Sequence, residues 1–220
     1  MKQSKDEISN EFQNFCNHVY QTWEFIFNVI KSKACGPKEL EEIYRLEEIS
    51  NHFEASIQDD CIWAISKNEP MANHLRYIVA IINSIKDLER IADYGVSAVR
   101  FFVNNSVSDD IRSIIQSILN DALKAMNKIF HAIHNKTAID SYKECQKIHA
   151  DFKEKYNHII NKLSGILKRR SAEQIEKLFQ GAIIIIKHIE RIIDHCSNIT
   201  ENFMFIKESE FFFNKHSKQI

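Results

Sequence analysis

Glycine and proline are scarce in this sequence, which holds 4 glycines and 2 prolines in 220 residues. Tight turns, β-hairpins and phosphate-cradling loops depend on these two residue types, so an all-β fold and a nucleotide-binding loop are both disfavoured. Long helices need neither residue in their interiors. Hydrophobic residues make up 44% and charged residues 27% of the chain, a mixture typical of a globular domain. The composition therefore predicts an all-α fold.

A long hydrophobic run, a strong net charge and paired cysteines are also missing. The most apolar stretch, 181–186, is closed by Lys187 and falls far short of the roughly 20 residues that a membrane-spanning helix needs. A net charge of −1 gives no general attraction to nucleic acid or to anionic membranes. The five cysteines show no Cys-x-x-Cys spacing, which favours reduced, mostly packed thiols in a cytoplasmic protein. We therefore expect no nucleic-acid partner and no direct membrane insertion.

Apolar residues recur at helical spacing along almost the whole chain, and breaks in this pattern divide it into six segments. The predicted helices cover about 6–33, 37–68, a third ending near 104–105, a fourth capped by 106–109, then 138–167 and 171–207. The pattern Glu-Arg-Ile-x-Asp occurs twice, at 89–93 and at 190–194. This repeat predicts two pseudo-symmetric antiparallel three-helix bundles, residues 1–105 and 106–207, followed by a tail at 208–220.

The two acids of each repeat lie one helical turn apart. At about 100° per residue, Glu89 and Asp93 share one helix face, and Glu190 and Asp194 do the same. The apolar neighbours of these acids place them in a stripe that should be buried, where an unpaired charge costs several kcal/mol. Salt bridges to nearby cations or a bound metal ion could compensate for that cost. A catalytic acid–base pair is disfavoured because the sequence shows no accompanying nucleophile or oxyanion donor.

The second predicted helix adds oxygen ligands to the first repeat. Glu47, Asn51, Glu54 and Gln58 fall on one face of that helix, within a line of apolar residues. An oxygen-rich island in this position faces a neighbouring helix. Residue spacing alone leaves the metal and the structural interpretations open.

The stretch 47–102 resembles the PhoU family of phosphate-uptake regulators. The motifs that carry the resemblance are Asp60-Cys61, Glu69-Pro70, Leu75-Arg76 and above all the acidic segment 87–93. The second half repeats the pattern at 189–198, followed by Glu201. The resemblance covers most of the chain and is weak in the first and fourth helices.

This resemblance implies a cytoplasmic, non-enzymatic regulator of phosphate uptake. Its partners would be the ATPase subunit of a phosphate ABC transporter and, as in many bacteria, a sensor histidine kinase. It further implies a homodimer and iron or zinc ions bound through the acidic motifs. Matched position by position, the implied ligands are Glu47, Asn51, Glu89, Asp93, Glu190 and Asp194.

The fifth helix departs from the family pattern because His149 and Lys153 stand where the family has two acids. Lys153 is therefore expected to donate to Glu190 or Asp194, and the second repeat is expected to be neutralised by charge pairing. The first half is then the better metal site. The alternative function is a metal-free helical scaffold or accessory protein of another phosphate carrier. A di-iron or di-manganese enzyme is disfavoured because no Glu is followed three residues later by His.

Overall fold

Six long α-helices form the computed structural model, which describes residues 5–70, 72–135, 138–167 and 172–216. No strand occurs in these ranges, so the prediction of an all-α fold with six helices is confirmed. The helices are α1 Lys5–Ser32, α2 Pro37–Asn68, α3 Ala72–Asn104, α4 Asp109–Asn135, α5 Ala138–Leu167 and α6 Ala172–His216.

Gly36 and both prolines stand where helices begin or end, whereas Gly95 and Gly181 lie inside helices. Pro37 occupies the first turn of α2, where its missing N–H is not needed. The backbone N–H of Gly36 donates to the Glu39 carboxylate over 3.0 Å, which satisfies a donor just outside the helix. Glu69 ends α2 in the left-handed conformation with φ of 41°, immediately before Pro70. Neither glycine nor proline occurs between 208 and 216. Helix α6 continues to His216, beyond its predicted end near 207.

The helices pack as two sets of three. In the described part of the chain, α2 contacts only α1 and α3, while α5 contacts only α4 and α6. The two sets meet where α3 packs on α6 and α1 packs on α4. Pairs across the α3/α6 interface run in opposite directions along the two helices, from Tyr77 with Phe203 to Tyr94 with His188. The two central helices are therefore antiparallel, and the outer helices leave one face to solvent.

One hydrophobic core runs through both sets of helices. Trp23 of α1 is fully buried, and its indole N–H donates to the backbone carbonyl of Ile91 in α3 over 2.9 Å. At the α3/α6 crossing, Gly181 lies so close to the ring of Phe101 that a Cβ there would overlap it. All five cysteines are free thiols, as predicted, and four of them are buried. No helix in the described ranges is both long and apolar enough to span a bilayer.

Candidate functional site

The first acidic repeat lies in the groove between α2 and α3. Glu47 and Glu54 on α2 are half-buried, and they act electrostatically on Asp93 and Glu89 of α3 respectively. The Asn51 side chain donates to the Glu47 carboxylate over 2.7 Å. The sequence predicts that these three residues face the neighbouring helix. The structure brings Glu47 and Glu54 close to the acids of α3, whereas Asn51 is exposed and bonds to Glu47 on its own helix.

The depth of this repeat differs from the prediction. Glu89 is half-buried and Asp93 is exposed, so the expectation that both acids lie within the buried stripe is wrong for Asp93. The centre of the buried stripe is formed instead by Leu88, Ile91 and Gly95. The acids occupy its edge because a carboxylate there keeps part of its hydration while still approaching α2.

The acids of the first half destabilise each other's charged forms. Loss of hydration and the negative charges of Asp93 and Glu54 raise the pKa of Glu89 from its usual 4.5 to about 7. Partial desolvation also raises the pKa of Asp93, whereas a hydrogen bond with Glu89 lowers it. Arg90 offsets only part of the repulsion, so this cluster has excess negative charge near neutral pH.

The acidic cluster of the first half has the right atom types to bind a cation, but its side chains are not arranged around a common point. Carboxylate and amide oxygens from Glu47, Asn51, Glu89 and Asp93 are ligands that divalent cations accept. Among the residues that the structure describes, however, no group of three or more His, Cys, Asp and Glu side chains is arranged to hold a metal ion. A cation could therefore bind only after these side chains turn toward one another.

The second acidic repeat is neutralised by neighbouring cations. The His149 Nε2 lies 2.9 Å from Asp194 Oδ1, and an Nη of Arg191 lies 3.5 Å from the other oxygen of that carboxylate. Lys187 Nζ lies 2.5 Å from Glu190. The prediction that charge pairing compensates these acids is confirmed. The observed cation beside Glu190 is not the predicted one. Lys153 is exposed, and Lys187, one turn from Glu190 on α6, lies beside that carboxylate instead.

A buried polar group that the sequence analysis did not single out joins the two halves. His195 Nδ1 of α6 donates to Asp87 Oδ1 of α3 over 2.7 Å, and both side chains are about nine-tenths buried. Asn198 donates to the same oxygen over 3.3 Å. The ring of His188 stacks on Tyr94 with their centroids 4.6 Å apart, and burial lowers the pKa of His188. We call these four residues, Asp87, Tyr94, His188 and His195, the α3/α6 cross-pair.

The cross-pair follows the internal repeat. Asp87 and His188 stand at the same position of their motifs, and so do Tyr94 and His195. Each residue at the start of one motif therefore contacts the residue at the end of the other motif. The sequence contains a pattern that could have indicated this contact. The four positions flank the shared Glu-Arg-Ile-x-Asp and point away from its acids. Periodicity did not show that the two motifs face each other.

Glu89→Gln is expected to stabilise the protein at pH 8. The folded state holds a proton on Glu89 up to about pH 7, so the stability that this group contributes is present below pH 4.5 and is lost as the pH rises to 7 and above. Glutamine cannot ionise and avoids this loss. The expected gain at pH 8 is about 1 kcal/mol, since solvent screens a group that is only half-buried. Urea unfolding at pH 4.5 and pH 8 measures the difference.

Glu190→Gln is the matched control at the equivalent position of the second half. It removes the charge partner of Lys187 and is expected to leave stability unchanged or to lower it by about 0.5 kcal/mol. A gain of the same size in both variants at pH 8 would show that the two acidic repeats are electrostatically alike.

Comparison with known proteins assigns the chain to a family. The family model described as PhoU domain matches twice, at residues 28–101 and 113–203. The chain is 30% identical to the uncharacterized protein MG409 of Mycoplasma genitalium over 222 residues, covering 96% of each protein. It is 26% identical to the phosphate-specific transport system accessory protein PhoU homolog of Streptococcus pneumoniae, covering 93% of this chain and 94% of that one.

A solved structure has the same fold. The crystal structure of PhoU from Pseudomonas aeruginosa superposes with a TM-score of 0.82, covering 93% of this chain and 97% of that one. At 18% identity this likeness supports the helical fold alone. The family match covers most of both halves and includes both acidic repeats. The chain belongs to the PhoU family.

Proposed function

We propose that this protein is a non-enzymatic cytoplasmic regulator of phosphate uptake that acts on the ATPase subunit of a phosphate ABC transporter. The observation that carries the proposal is the double match to the PhoU domain, which spans both halves. Relatives that share this domain are named phosphate-specific transport system accessory proteins. A sensor histidine kinase is proposed as a second partner and a homodimer as the assembly.

Binding of iron or zinc in the first half is the second part of the proposal. It is supported by the mutual repulsion that raises the pKa of Glu89, because a divalent cation would remove that repulsion. Glu47, Asn51, Glu89 and Asp93 would hold the ion. In the second half, Glu190 and Asp194 already have protein cations beside them, so we propose that this repeat binds no metal.

A metal-free scaffold that serves another phosphate carrier is the alternative. The observation in its favour is that the described side chains form no ready-made group of three metal ligands. This alternative differs from the leading proposal in its partner and in its metal content, and both can be measured.

Deletion of the gene is expected to change phosphate uptake, and the purified protein is expected to bind the transporter's ATPase subunit. Uptake of radioactive phosphate in deleted and complemented cells measures the first effect, and calorimetry with the ATPase subunit from the same organism measures the second. An unrelated ABC ATPase is the control. Unchanged uptake together with no binding would refute the proposed function.

A further inference from the structure

The outer face of α2 and α3 carries exposed apolar side chains beside the first acidic repeat. Ile62 is 51% exposed, and Leu75 and Val79 are each 37% exposed. Single exposed hydrophobic residues are ordinary, whereas a contiguous group of them marks an interaction surface. Half-buried Ile65 and Ile82 extend the group. We call these five residues the α2/α3 rim.

Helical geometry places the rim residues together. Leu75, Ile82 and Glu89 are seven residues apart and lie along one line of α3, with Val79 and Asp93 close to that line. The two helices are antiparallel, because Glu47 acts on Asp93 while Glu54 acts on Glu89. Later residues of α2 therefore face earlier residues of α3, and this register puts Ile62 alongside Val79. The apolar rim and the acidic repeat therefore lie in one strip along the same side of α3, with the exposed Lys86 between them.

The strip has two ends of different chemistry. The distance from Leu75 to Asp93 is about 27 Å along α3, which is the length of a five-turn helix. The apolar residues occupy one end of this strip, and Glu47, Glu54, Glu89 and Asp93 occupy the other. The negative charges at the acidic end are compensated only in part by Arg90. The complementary ligand is a helix with apolar residues at one end and basic residues at the other.

The second half lacks this combination. Counting from the shared motif, Val79 corresponds to Gln180, which is exposed, and Leu75 corresponds to Glu176. The acids of that half are paired with Lys187, Arg191 and His149. Among the second-half residues whose side chains the structure describes, this surface is therefore not repeated.

We propose that the α2/α3 rim and its acidic end dock an amphipathic helix of the partner, about five turns long, with Lys or Arg at the end that meets Glu89 and Asp93. The assignment rests on the proposed function, which names the transporter's ATPase subunit as the partner. It applies to the metal-free protein, because a divalent cation would compensate the same carboxylates. A second copy of the chain is a poorer occupant. Full-length pairing of two such strips would put carboxylates either on carboxylates or on the apolar residues of the other copy.

The test measures binding of the intact protein, kept free of metal with a chelator, to the ATPase subunit from the same organism. The variant Leu75→Glu/Val79→Gln installs the second-half residues at two exposed positions, so the fold is expected to be retained. Its Kd is expected to rise at least about 10-fold, because two apolar contacts of the interface are replaced by a carboxylate and an amide that must be desolvated. Ile184→Asn is the matched control, since Ile184 is 50% exposed on α6 and Asn83 stands at the equivalent position of α3. Its Kd is expected to stay within about twofold of the wild type.

A photo-crosslinker placed at position 79 identifies the partner segment. Crosslinks to a helical segment with apolar and basic residues support the proposal.

If the wild type binds the ATPase subunit and the double variant binds equally well, the docking surface is refuted and the proposed function stands. If the wild type does not bind at all, this assignment fails, and the proposed function fails as well when deletion of the gene also leaves phosphate uptake unchanged. Crosslinks to a second copy of the chain, with a dimer that the double variant dissolves in sedimentation, would overturn the proposal in favour of self-association.

Discussion

Asp87→Ala is expected to lower the free energy of unfolding by about 3 kcal/mol. The carboxylate lies in the α3/α6 interface and accepts hydrogen bonds from His195 over 2.7 Å and from Asn198 over 3.3 Å. Alanine leaves the buried His195 without its acceptor and opens a small cavity beside it. Because one core runs through both halves, unfolding is expected to remain a single transition at a lower urea concentration.

The matched control for Asp87 is Asp93→Ala on the same helix. Asp93 is exposed and is repelled by Glu47, so its loss is expected to be neutral or slightly stabilising. A double-mutant cycle with His195→Ala separates the pair from its surroundings and is expected to give a coupling energy of about 1–3 kcal/mol. A cost below about 1 kcal/mol for Asp87→Ala would contradict the role assigned to the cross-pair.

The helical architecture follows directly from the sequence because its signals are local. Apolar periodicity and the positions of Gly36, Pro37 and Pro70 fix most helix boundaries. The repeated Glu-Arg-Ile-x-Asp indicates the internal symmetry. The end of α6 was less predictable, since 208–216 contains no residue that must stop a helix.

The electrostatic contrast between the two acidic repeats was predictable in part. Sequence comparison with the family pointed to His149, and the structure pairs it with Asp194. Lys153 was also expected to pair with an acid, but its side chain is exposed on α5. Lys187 lies one turn from Glu190 on the same helix, and such a pair needs no knowledge of how α5 and α6 pack.

The α3/α6 cross-pair was not predicted because it depends on a contact between distant segments. Asp87 and His195 are separated by 108 residues. Composition and periodicity show that both lie on amphipathic helices, but they do not show which helices meet or in what register. The internal repeat alone does not predict the cross-pair. That prediction also requires knowing that the two motifs pack antiparallel at the centre of the molecule.

Glu89→Gln is expected to weaken binding of a divalent cation by at least about 10-fold, whereas Glu190→Gln is expected to leave it unchanged. Glu89 has the charges of Asp93 and Glu54 close by, and a cation relieves that repulsion. Glu190 and Asp194 are already compensated by Lys187, His149 and Arg191, so an ion there would have to displace protein cations. The first half would then bind a cation, whereas the acids of the second half would be neutralised by the protein's own basic side chains.

Calorimetric titration of zinc into the wild type, Glu89→Gln and Glu190→Gln tests this difference between the two halves most directly. The protein is first stripped of metal with a chelator, and circular dichroism confirms that all three proteins are equally helical. We expect the wild type and Glu190→Gln to bind zinc with the same affinity and Glu89→Gln to bind it at least about 10-fold more weakly. Equal loss of binding in the two variants, or no binding to the wild type, would contradict the account.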